Sequence, residues 1–270
     1  MEDLWLDFDK GKEAKNLMNL AAEPFMRKYV RETFKAGVFW ISNGYYDRAV
    51  ETFRDVAQAV GLLTPVLAYL YSLSRYYYSY FLDSGRPQVL GEAANDLEAV
   101  NPPDKVMAKF AALRALIYAE LGDLDRAESV LTVGSSPVIG TARAHVYRLR
   151  GLLSSAEQEV SYVLSRDEKN RDALVEKALV LREEGRYGEA LSLLDRLLFG
   201  SPLFNPFRLV SYSPQSTLAM LVRAETLELM GRREEALSVY RQIDSIIYSP
   251  VVKSRISRLS SPGGRTAVWG

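Results

Sequence analysis

The sequence predicts an all-α protein, a right-handed α-solenoid of about six antiparallel helix pairs, and two observations predict it. A glycine recurs at Gly44, Gly85, Gly122, Gly151, Gly185 and Gly231, at separations of 41, 37, 29, 34 and 46 residues, scattered about a period near 34. Around most of these glycines the same spacing of small and large apolar residues returns. The composition, 48% apolar and 25% charged, is that of an ordinary soluble chain.

The clearest units are 114–131, 177–194 and 223–240. A small residue stands seven positions before the glycine (Ala115, Ala178, Ala224) and an alanine five after it (Ala127, Ala190, Ala236). A large residue follows four further on, at Leu131, Leu194 and Tyr240. Fainter copies fit with Gly37, Gly44, Ala49 and Phe53, and with Ala144, Gly151, Ala156 and Val160; the copy at Gly85, Leu90 and Ala94 is degenerate. Positions seven apart lie two turns along one helix face. The glycine ends that helix by accepting a left-handed conformation, and the next helix returns antiparallel. Small residues at the crossing let the backbones approach, with larger side chains filling the grooves. One pair cannot bury its stripe alone, so neighbours stack into a superhelix.

This spacing resembles the tetratricopeptide repeat over residues 27–249, with Pro102 and Pro202 where that family's inter-repeat proline stands. The resemblance implies a non-catalytic interaction scaffold or adaptor that binds a protein or peptide in the concave groove lined by the first helices. Carried over by position, the groove is Phe34, Lys35 and Val38, then Arg75, Tyr76 and Ser79, then Leu113 and Leu116. His145 and Arg148 follow, then Glu176, Leu179 and Arg182, and last Glu225. The family's clamp for chaperone carboxylates uses an asparagine that none of these units carries, so such tails are not expected as partners. A structural subunit of a coat-like or other assembly is the alternative.

In chain order, residues 1–26 form an acidic, amphipathic segment outside the repeats, with Glu2, Asp3, Asp7 and Asp9 ahead of any cation. An acidic start lacks the basic opening of a signal peptide, so the expected location is cytoplasmic. Residues 66–82 are rich in apolar and aromatic side chains, but 17 residues with Arg75 and three serines fall short of the roughly 20 a span needs; a buried helix is expected. Tyr77 and Tyr78 occupy positions the family fills with leucine-like and small residues, so either the core is bulky there or Tyr76, Tyr77, Tyr78 and Tyr80 face a partner. Arg114, Arg143, Lys177 and Arg223 recur at one position of the unit, either as an inter-helix ion-pair ladder or snorkelling to water. Residues 199–217 carry three prolines, which forbid a continuous helix. With Leu203, Phe204, Phe207, Leu209 and Tyr212 this insertion either folds back or docks a partner. Residues 250–270 are basic, with a capping helix expected over 251–259 and a disordered tail ending in Trp269.

Lys plus Arg equals Asp plus Glu at 34 each, so no global charge draws nucleic acid or membrane. With no cysteine and one histidine, His145, neither thiolate chemistry nor a histidine-rich metal site can be built, and no phosphate loop occurs. No cofactor, metal or catalytic residue is assigned, and no membrane insertion; self-association stays open.

Overall fold

The computed structural model describes residues 3–132, 134–200 and 209–261. Among these run fourteen α-helices and two short 3-10 turns, with no strand. After α1 (Lys10–Leu20) come six hairpins. They are α2 (Met26–Ser42) with α3 (Tyr46–Val60), α4 (Pro65–Ser79) with α5 (Arg86–Glu98), and α6 (Met107–Glu120) with α7 (Leu124–Ser129). The rest are α8 (Pro137–Leu149) with α9 (Leu153–Arg166), α10 (Arg171–Glu183) with α11 (Tyr187–Phe199), and α12 (Ser216–Leu229) with α13 (Arg233–Asp244). α14 (Pro250–Ser260) closes the stack, where the sequence places its capping helix. Pro202, Leu203, Phe204, Phe207 and the tail with Trp269 lie outside the described residues.

All six predicted glycines sit at the hairpin turns with positive φ. At Gly44 the requirement is double: φ is +78°, and a Cβ would stand 2.4 Å from Thr217 Oγ1 of α12. At Gly37 the need is closeness alone, because a Cβ would meet the Phe53 ring at 2.7 Å. Three further helices start on side-chain caps: Thr64 accepts from Leu67 N–H before Pro65, Asn170 from Ala173 N–H, and Ser249 from Val252 N–H before Pro250. A cap of this kind is worth about 1 kcal/mol.

First and second helices differ in burial. α3 buries one stripe, Tyr46, Ala49, Phe53, Val56 and Val60, at helical spacing. α4 is buried without a gap from Leu67 to Tyr77, which is how a helix surrounded by neighbours reads. No described helix is long and apolar enough to cross a membrane. Tyr76 and Tyr77 are buried and Tyr78 and Tyr80 partly so, which makes them bulky core residues. The recurrent cations do form a ladder: Arg143 pairs with Glu159 at 3.2 Å, Arg223 with Asp195 at 2.7 Å and Arg114 with Glu98 at 3.9 Å. Lys177 departs from it, donating to Ser161 Oγ at 3.2 Å.

The solenoid winds until its first hairpin meets its last. Tyr46 donates its hydroxyl to Pro214 O at 2.6 Å and accepts from Leu218 N–H at 3.3 Å. Its ring stacks on Tyr77 at 5.1 Å. Ser249 Oγ donates to Phe81 O, and Tyr248 N–H to Asp47. The insertion thus folds back at its described end: Tyr212 stacks on Tyr45 and Ser211 N–H bonds Leu198 O.

Candidate peptide-binding groove

The inner side of the solenoid holds an extended stretch of its own chain. Residues 3–9 have no helix, because Asp9 caps α1 from outside by accepting from Lys12 N–H at 2.9 Å. Leu4 and Leu6 point into the core at 2% exposure each, whereas Trp5 is half-buried and Asp7 exposed. That is the alternation of a strand-like segment with one wet side. Burying two leucines contributes about 1.5–3 kcal/mol each.

Polar side chains from three hairpins read the main chain of this strap. Asp172 of α10 accepts from Leu4 N–H at 2.7 Å, and Tyr69 of α4 donates its hydroxyl to Leu4 O at 2.7 Å. Lys109 of α6 donates to Asp3 O at 2.7 Å and to Trp5 O at 2.5 Å. Tyr77 and Gln215 donate to the other oxygen of Asp172, at 2.8 and 3.1 Å. Burial and the neighbouring Asp3 carboxylate push Asp172 up to about 6 despite these donors. Phe8 packs its ring on Phe34 at 6.3 Å. A cleft of about 420 Å³ continues beside the strap, walled by Leu6, Phe8, Pro65, Val106 and Phe110.

One turn along α10, a second buried cluster is ionic. Glu176 takes Arg148 Nε at 2.6 Å and His145 Nδ1 at 2.9 Å. His145 Nε2 lies 3.1 Å from Glu120 but off the hydrogen-bond angle, so that contact is a charge contact rather than a directed bond. Arg86 and Tyr80 complete Glu120, and Glu183 takes Arg148 at 2.7 Å. Burial alone would raise Glu176, but Arg148 and His145 outweigh it and hold the carboxyl at about 2. Glu120 is likewise held at about 2 against its burial, by His145 and Arg86. Burial would lower His145, yet the Glu176 charge and the Glu120 contact lift it to about 8. The two carboxylates thus favour the protonated imidazole.

Of the positions assigned to the groove, Lys35 is exposed and Arg182 and Glu225 are half-buried, paired to each other at 2.6 Å. Phe34, Val38, Ser79 and Leu113 are packed inside. Arg75 is buried as a clamp, stacked 3.6 Å over Tyr71 and paired to Glu92 and Asp96 of α5. His145 and Arg148 belong to the ionic cluster. Tyr76, Leu116, Glu176 and Leu179 come together around a cavity of about 30 Å³ that Leu4 and Asp172 also line, room for about one water. Sequence reasoning missed Asp172 and Tyr69 as strap contacts. An aspartate in the first turn of a helix is expected for the dipole alone, so nothing local marks Asp172.

Stacked hairpins around an inner face that holds an extended segment define the class of helical-repeat interaction folds. Tetratricopeptide-repeat family models match residues 141–203 and, for a second such model, 108–131 and 217–242. The chain is a TPR-like repeat protein. A tetratricopeptide repeat protein from Parabacteroides merdae superposes with a TM-score of 0.52 at 13% identity, covering 87% of this chain and 100% of that one, a likeness of fold. MamA AMB-1 (19% identity, 68% and 93% coverage) and the TPR2AB-domain:pHSP90 complex of yeast Sti1 (12%, 93% and 98%) each superpose with a TM-score of 0.34. No curated protein matches the chain.

Proposed function

We propose that this protein is a cytoplasmic, non-catalytic adaptor whose solenoid of residues 27–249 binds an extended peptide or protein segment along its inner face. The observation that carries this reading is the strap: an extended main chain held in the groove by Asp172, Tyr69 and Lys109. Interaction through repeats is the general role of tetratricopeptide proteins, which are generally non-catalytic. Lys35, Arg182 and Glu225 are the assigned positions a partner reaches without rearrangement. Photo-crosslinkers at these three positions test the reading against crosslinkers on the outer helices at Tyr162 and Gln158. Crosslinks to a partner confined to the inner set support it; crosslinks confined to the outer set overturn it.

One observation favours the alternative, a subunit held permanently in an assembly. Phe39, Trp40, Tyr45 and Tyr212 form a chain of ring contacts at 5.1, 5.4 and 6.5 Å on the edge of the first hairpin. Arg48 lies 4.9 Å over Trp40, and Phe39 is 57% exposed. Aromatic residues with arginine are the composition of interface hot spots.

A further inference from the structure

We propose that segment Asp3–Phe8 is a resident ligand of the groove, and that the partner is an extended peptide of the same chemistry which displaces it. That chemistry is an extended main chain with two apolar side chains two positions apart, as in Leu4 and Leu6. The proposal rests on the peptide-groove reading above and names its ligand.

Several observations carry it. The strap is read through atoms common to every peptide: Leu4 N–H and O, Asp3 O and Trp5 O each meet a side chain of the solenoid. The readers come from α4, α6 and α10, so the site is assembled by the superhelix and not by the strap. A buried carboxylate such as Asp172 is costly in a core unless its donors are supplied, and one of its three donors is the strap's own N–H. An incoming peptide N–H restores that donor; an empty groove does not.

The strap has no internal helix, and the residue that follows it, Asp9, fixes the start of α1 through its own cap bond. Rotation ahead of Asp9 therefore swings residues 3–8 out while α1 stays packed. The cleft of about 420 Å³ runs on past Leu6 and Phe8 and offers a longer ligand additional apolar wall at Pro65, Val106 and Phe110; its charged lining is mixed, Lys12 and Lys105 beside Asp9 and Glu13.

Competition in cis has a calculable signature. A ligand that binds only the open state has its affinity reduced by the fraction of molecules that are open. The test uses the full chain, a fluorescein-labelled peptide of residues 1–9 (MEDLWLDFD) as probe, and fluorescence anisotropy. The variant Leu4→Asp with Leu6→Asp disables the strap and leaves every groove residue intact; Leu4→Ala is the milder variant if the first does not fold by circular dichroism. The expected result is probe binding at least about tenfold tighter to the variant than to the unaltered chain. A probe with both leucines replaced by aspartate is expected to bind neither. Equal binding of the probe to both chains overturns the resident-ligand proposal and leaves the groove reading standing. No binding to a variant whose strap exchanges its amide hydrogens freely overturns both. A dimer by light scattering, with the strap exchanged between two copies, overturns the assignment to a partner peptide.

Discussion

Asp172 and Glu176 stand one turn apart on α10, both buried, and they are kept in opposite ways. Glu176 meets two cations, Arg148 and His145, and sits at about 2. Asp172 meets only neutral donors, the Leu4 and Gln215 N–H groups and the Tyr77 hydroxyl, with a second carboxylate nearby, and sits at about 6. An ion cluster that loses one member strands the others, whereas neutral hydrogen bonds at a strap can be traded for water or for another peptide. The inner face therefore has an ionic half, around His145, and, on the resident-ligand proposal, an exchangeable half, around Leu4.

The largest effect expected from this contrast is at Glu176. Glu176→Ala leaves Arg148 and His145 buried without their shared partner and should cost about 3–5 kcal/mol in urea unfolding. Asp172→Asn removes a charge that has no cation to strand. It does replace one accepting oxygen with an N–H donor, so either the Leu4 or the Gln215 N–H loses its acceptor. Its cost should be about 1–3 kcal/mol, below that of Glu176→Ala, and a loss equal to that of Glu176→Ala would erase the contrast.

A smaller effect is the pH dependence. His145 is raised from 6.5 to about 8, so its contribution is complete below 6.5 and is lost as pH rises through 8. A displacement of that size corresponds to about 2 kcal/mol. Glu120 and Glu176 are lowered from 4.5 to about 2, so theirs is present above 4.5 and is lost as pH falls towards 2. Asp172 is raised from 3.8 to about 6, so its burial in the folded chain costs least below 3.8 and most once the pH has climbed through 6. Thermal melts from pH 6 to 9 should show the alkaline loss in the unaltered chain and not in His145→Gln. The smallest effect belongs to the outer ladder: Arg143→Ala, whose pair with Glu159 is partly solvated, should change stability by less than about 1 kcal/mol.

The legibility of the two halves differs for the same reason. The hairpins are written locally, in a small residue, a glycine and an alanine within thirteen positions, and Ala115, Gly122 and Ala127 mark their turn without reference to the rest of the chain. His145 could be placed on an inner face by register. Its bracketing by Glu120 and Glu176 could not, because those residues come from the end of one first helix and the middle of another. The strap was the least legible. Leu4 and Leu6 alternate over too few residues to signal a partner surface, and the strap's contacts to Lys109 and Asp172 span more than a hundred positions. The inner positions read as an open groove because the family's groove is open; here Tyr46 reaches Pro214 and residues 3–8 lie along the inner face.

The most direct test is amide hydrogen exchange across residues 3–8 of the full chain, read by mass spectrometry beside residues 171–183. The account predicts a protected Leu4 amide whose protection disappears in Lys109→Ala with Asp172→Ala while α10 stays protected. A strap that exchanges like a free peptide in the unaltered chain would contradict it.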